Sequence, residues 1–111
     1  MYFEKELEIH KQIFPLAVPQ DQLMHLCEEL NEMETAGDNY LDEWADALFV
    51  AISLQRFEHT EHLARLMLNL LYFNFSLETQ KVLDKRLAQA IEKVKSRTYY
   101  FVNNHYVRTK K

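Results

Sequence analysis

A chain of 111 residues with one glycine, Gly37, and two prolines, Pro15 and Pro19, has almost no means of turning sharply. Leu, Glu, Lys, Ala and Gln are plentiful, and these are the residues that lose least on entering a helix. The expectation is all-α: a compact bundle of about four to five helices in a single domain, its core at about residues 20–97 and a short aromatic tail or hairpin at 98–111.

Apolar spacing places the helices. Phe3, Leu7 and Ile13 recur among charges in residues 2–13, a modest amphipathic helix that must stop near Phe14 because Pro15 follows. Pro15 and Pro19 bracket a short extended connector. Asp21 is a plausible cap for a second helix, whose stripe is Leu23, Leu26, Cys27, Leu30 and Met33. Ala36 to Asn39 end it. The third helix, about Leu41 to Phe57, is apolar nearly all round and should be the central, most buried one. Thr60 and Ser76 read as caps of a fourth helix, Glu61 to about Phe73, and a fifth ending near Arg97. Beyond it Tyr99 to Val107 is aromatic and β-prone, and Asn103-Asn104 could turn a small hairpin. Such a hairpin is marginal alone and needs the bundle or a partner to pack on.

Within these helices two acidic pairs stand out, Glu29-x-x-Glu32 and Glu43-x-x-Asp46. Residues three apart lie about 60° apart on a helix, so each pair shares a face. Glu29 and Glu32 flank the apolar stripe of the second helix, whereas Glu43 and Asp46 fall on a line that Val50 and Leu54 continue inward. Unpaired carboxylates there would cost several kcal/mol by desolvation and would repel one another. A hard divalent cation removes both penalties, and Mg²⁺, which takes carboxylate oxygens and keeps waters, suits the set. Glu28 points a further 100° or so round and reads equally as a ligand or as a residue at the margin of such a site or in solvent. Asp42 reads as a charge favourable at a helix start.

The run Glu28-Glu29-Leu30-Asn31-Glu32 followed by Glu43-Trp44-Ala45-Asp46-Ala47-Leu48 resembles the E-E-x-x-E and E-x-x-D signature of the MazG-like, all-α nucleoside triphosphate pyrophosphohydrolases. The resemblance covers roughly residues 14–56, with weaker agreement to Arg97. It implies Mg²⁺ held by Glu29, Glu32, Glu43 and Asp46, with Glu28 a secondary acidic member. It implies cleavage of a (deoxy)nucleoside triphosphate between its α- and β-phosphates, giving a monophosphate and pyrophosphate in nucleotide pool control or clearance. It also implies a homodimer or homotetramer, with the pocket completed across a subunit interface. Glu28 or Glu32 is the candidate to deprotonate the attacking water. Two features depart from the pattern: the spacer from Glu32 to Glu43 is short, at ten residues, and the family's K-N-x-x-R cluster is met by Lys93-Val94-Lys95-Ser96-Arg97, without the Asn. Lys93 and Arg97 share a face and either clamp phosphate oxygens or stabilise the helix dipole.

Other features weigh less. A formal charge of −4 gives no general attraction to nucleic acid, although Arg97, Arg108, Lys110 and Lys111 reverse the sign near the end. No apolar stretch reaches the roughly 18 residues of a membrane span. A single cysteine and the lack of a signal pattern point to the cytoplasm. His59 and His62 read as parts of a helix–helix turn, and His25 shares a side with the first acidic pair. Trp44 is expected in the core, and Asn69 and Asn74 at an interface. The alternative to an enzyme is a helical interaction protein on the same oligomeric scaffold. A di-iron bundle fits less well, because paired Glu-x-x-His is missing.

Overall fold

The structure, a computed structural model, describes residues 1–109, so Lys110 and Lys111 lie outside it. Five helices follow in order: α1 (Glu4–Ile13), α2 (Pro19–Thr35), α3 (Tyr40–Ser53), α4 (Glu61–Leu68) and α5 (Leu77–Lys95). A two-stranded antiparallel hairpin, β1 (Tyr99–Val102) and β2 (His105–Arg108), closes the described chain.

Helix α3 is the centre, as its all-round apolar sequence predicts. Ala45, Ala47, Leu48, Ala51 and Ile52 are wholly shielded from solvent, and α2 and α5 pack against it with α1 and α4 beside them. The small side chains on α3 let neighbouring backbones approach, while Leu48 and Ile52 fill the space with Leu68, Leu83 and Leu87. Trp44 also packs on this core, donating its indole N–H to the Leu71 carbonyl at 2.8 Å.

Some boundaries differ from expectation for physical reasons. Helix α2 begins at Pro19, not near Asp21; proline at the first helical position lacks only an N–H that would have had no helical partner. Asp21 is therefore in the first turn, buried, and its carboxylate accepts the backbone N–H of Tyr106 at 3.3 Å. The third helix tightens after Ser53 into a 3₁₀ turn over Leu54–Arg56. Thr60 precedes α4 but does not cap it with its side chain, because the hydroxyl donates instead to the Leu54 carbonyl at 2.7 Å. The fourth helix does run to Phe73, with its end widened into a π turn over Asn69–Phe73. Asn69 and Asn74 are exposed on it. Ser76 caps α5 as expected, accepting the Thr79 N–H at 3.3 Å.

The tail forms the hairpin that its composition predicts, with Tyr99 opposite Arg108 and Val102 opposite His105. Asn103 and Asn104 turn it at φ 51° and 62°, the left-handed pair a two-residue hairpin of this twist needs. Asn tolerates that region and β-branched residues do not. Asn104→Val should therefore cost the hairpin about 1–2 kcal/mol. Amide exchange in Tyr99–Arg108 would accelerate while exchange in α3 stayed unchanged.

Candidate active site

Helices α2 and α3, joined by the short turn Gly37–Asn39, fold back against each other, and this brings the two acidic pairs together. A cavity of about 410 Å³ opens where they meet α5, the end of α1 and the hairpin. Glu29, Glu32, Glu43 and Asp46 line it, and so do Lys93 and Arg97 from α5. Six positions chosen from sequence thus share one cavity. Among the described residues, Glu29, Glu43 and Asp46 form a cluster in which one carboxylate oxygen from each lies within 4.8 Å of the others. Glu32 lines the cavity but stands outside this trio.

Glu28 is not brought in. Its side chain is exposed and lies off the cavity, 3.6 Å from His25 Nδ1. The helical rotation that carries Glu29 inward turns its neighbour out. Asp42 also sits apart, paired with Arg86 at 2.8 Å, and Trp44 belongs to the core. His59 and His62 are exposed and take no part.

The electrostatics of the cluster follow from its enclosure. Glu29 Oε2 and Glu43 Oε2 are out of solvent and have no hydrogen-bond partner among the described residues, although buried carboxylate oxygens normally have one. Burial, then the charges of Asp46, Glu32 and Glu43, push the Glu29 carboxyl from 4.5 up to about 8. Burial also raises Glu43, with Glu32 adding to it. Lys93 Nζ lies 3.1 Å from Asp46 Oδ2, yet burial outweighs that pair and Asp46 too is raised. Two oxygens without partners among the described residues lie beside a third carboxylate that is ion-paired to one lysine, a set whose chemistry is compatible with a hard cation. In donor chemistry the trio fits Mg²⁺, since every candidate ligand atom is a carboxylate oxygen.

Several cavity residues escape sequence reasoning. His10, Phe14, Gln22, Tyr99, Tyr106 and Arg108 come from the end of α1, the start of α2 and the hairpin. Phe14 meets Tyr99 and Tyr106 edge-to-face, with centroids 4.7 and 5.0 Å away. The Tyr106 hydroxyl accepts the Leu16 N–H at 2.8 Å, and Asp21 takes its backbone N–H. These contacts fix the hairpin as a cavity wall. The Arg56 guanidinium lies 3.3 Å from His10 Nδ1; since guanidinium can only donate, Nδ1 accepts and the ring proton sits on Nε2. Burial first and Arg56 second depress His10 from 6.5 to about 3, so it is neutral at physiological pH.

These shifts give a pH signature with a definite sign. Glu29 binds its proton more tightly folded than unfolded, so its contribution to stability is full below 4.5 and is lost as pH rises towards about 8. His10 acts oppositely, its contribution present above 6.5 and lost as pH falls towards about 3. The two oppose each other at mildly acidic pH, which leaves 6.5–8 as the window where the carboxylates act alone. Urea unfolding of the metal-free protein should show stability falling across that window. Glu29→Gln should flatten the slope, and an unchanged slope would mean that Glu29 is not the titrating group.

No described helix is long and apolar enough to cross a membrane. Compared with known proteins, the chain matches no family model, no curated protein and no solved structure.

Proposed function

We propose that this chain is a Mg²⁺-dependent, MazG-like nucleoside triphosphate pyrophosphohydrolase, cleaving a (d)NTP to the (d)NMP and pyrophosphate in nucleotide pool control or clearance. The observation that carries the reading is the convergence of Glu29, Glu43 and Asp46, two of them with buried oxygens lacking partners, in a cavity that also holds Arg97 and Arg108. The side chains of these two arginines have no hydrogen-bond or ion-pair partner among the described residues. An acidic cluster facing free guanidinium groups suits a polyphosphate that arrives with a divalent ion.

Glu29, Glu43 and Asp46 would hold Mg²⁺, which neutralises triphosphate charge and polarises the phosphoryl groups. Arg97 and Arg108 grip phosphate oxygens, each able to bind two at once. Lys93 keeps Asp46 ion-paired and in place. Glu32, exposed at the cavity and outside the trio, takes a proton from the attacking water. The water oxygen bonds to one of the phosphorus atoms flanking the α–β bridge. The bridge breaks and pyrophosphate leaves.

Homodimerisation or homotetramerisation belongs to the same proposal. Leu66, Leu70 and Leu77 are 55 %, 52 % and 75 % exposed, and with Leu63 they leave an apolar strip along α4 and the start of α5. The test is a screen for pyrophosphate release over canonical and modified triphosphates with Mg²⁺. At least one should be cleaved, and chelation should stop the reaction. If none is cleaved, and Mg²⁺ with a non-hydrolysable triphosphate leaves the melting temperature unmoved, the reading fails.

A further inference from the structure

We propose that Lys93 is a tethered counter-cation of the carboxylate cluster: it competes with a divalent ion for Asp46, and that competition keeps monovalent ions out of the site. This rests on the metal-site reading above. Among the described residues Lys93 makes the one ion pair to any of Glu29, Glu32, Glu43 and Asp46, with Nζ 3.1 Å from Asp46 Oδ2. The Asp46 side chain is 16 % exposed, and one oxygen from each of Glu29, Glu43 and Asp46 lies within 4.8 Å of the other two. The ammonium therefore stands at the margin of the small space the three carboxylates share. Two cations in contact with one carboxylate repel strongly where water is largely excluded. Ion entry and the Lys93–Asp46 pair thus oppose each other.

The exchange favours a divalent ion. Lys93 reaches one carboxylate of the three, while Glu29 Oε2 and Glu43 Oε2 have no partner among the described residues. A divalent ion carries twice the charge and several coordination positions, so it engages oxygens that the ammonium does not reach. A monovalent ion brings only the charge that Lys93 already supplies. It also competes with an ammonium that its short covalent tether holds at high effective concentration. Loss of the Lys93–Asp46 pair costs the same whichever ion enters. Only an ion that gains enough at Glu29 and Glu43 offsets it.

Lys93 is built to leave. Asp46 is the only hydrogen-bond or ion-pair partner of its ammonium among the described residues, and its side chain is 40 % exposed on a flexible four-carbon stem. It sits in the last turn of α5, where the carbonyl end of the helix favours a cation. An ammonium displaced from Asp46 therefore moves towards solvent without entering an unfavourable field.

The test titrates Mg²⁺ alone into the full chain, wild type and Lys93→Met, by calorimetry and by NMR of the Lys93 side chain. Both are run in KCl and, at equal ionic strength, in tetramethylammonium chloride, whose cation is too bulky to enter. Mg²⁺ should shift the wild-type Lys93 resonances towards those of a free lysine as the Glu43 and Asp46 amides report binding. Lys93→Met should bind Mg²⁺ about tenfold tighter or more, and K⁺ should weaken that binding in the variant only. The wild-type resonances decide even where the variant folds poorly. If Mg²⁺ binds while the Lys93 resonances stay still, or if the variant binds it no tighter, the competition is overturned and the metal site stands. If Mg²⁺ binds neither protein, the metal-site reading fails and the competition with it.

Discussion

Glu43→Gln should lower Mg²⁺-dependent pyrophosphate release by about 10²-fold or more in kcat/KM, a loss of at least roughly 2.7 kcal/mol of transition-state stabilisation. The same change should stabilise the metal-free protein. Among the described residues Glu43 Oε2 is buried without a partner, in a cluster where Asp46 and the ionised form of Glu29 would add like charge. An amide of the same shape removes one charge and brings two N–H donors within reach of neighbouring carboxylates. The variant should therefore melt higher without metal and gain little or nothing from added Mg²⁺. Opposite movement of activity and stability is the mark of a ligand held against its own electrostatic preference. A variant that keeps full activity would remove Glu43 from the metal site.

Leu48→Ala tests the scaffold rather than the chemistry. Leu48 is completely buried midway along α3, among the side chains of the main core cluster, and it does not line the cavity. Deleting its branch leaves a hole that rigid helix neighbours close only in part, at a cost of about 2–5 kcal/mol. For a domain of this length the melting temperature should fall by roughly 8–40 °C, at about 4–8 °C per kcal/mol. Urea unfolding measures the loss directly, and a change below about 1 kcal/mol would contradict the packing described for α3. At low temperature, where the variant is folded, turnover per molecule should stay near wild type. Read together, the two substitutions separate residues that hold α3 in place from residues that α3 exists to present.

Much of this architecture was legible because helices announce themselves by period. The stripe of α2 holds only in part, with Leu26 buried, Leu23, Leu30 and Met33 half-buried, and Cys27 turned out to solvent. The all-round apolar run of α3 and the Ser76 cap depend on near neighbours in sequence and appear where expected. The hairpin was readable for the same reason, its Asn103-Asn104 turn lying between β-prone runs. Where local rules compete, sequence was a poorer guide. Pro19 could end a connector or open a helix, and the Thr60 hydroxyl could cap α4 or reach back to Leu54. The π turn in α4 has no marker in the residues around it.

The candidate site divides along the same line. Two acidic pairs with helical spacing are a local signal, and both reach the cavity. Spacing alone could not rank their members. It took the packing of α2 on α3 to separate Glu29, Glu43 and Asp46 from Glu32 and to leave Glu28 outside. His10, Gln22, Phe14 and Arg108 belong to the cavity only through contacts between distant segments, which no periodic pattern records.

The hairpin wall joins residues 90 apart in sequence where Leu16 donates to Tyr106, and 85 apart where Tyr106 donates to Asp21. Such contacts carry the largest loop-closure entropy in the molecule, whereas the helices and the α2–α3 turn are local. The expected order of assembly is the helical frame with its carboxylates first and the aromatic wall last. The same asymmetry predicts that in the native state the hairpin opens at lower cost than the core. A ligand that bridges the wall and the acidic cluster would tie residues near Tyr106 to residues near Glu43, and would be expected to slow detachment of the hairpin.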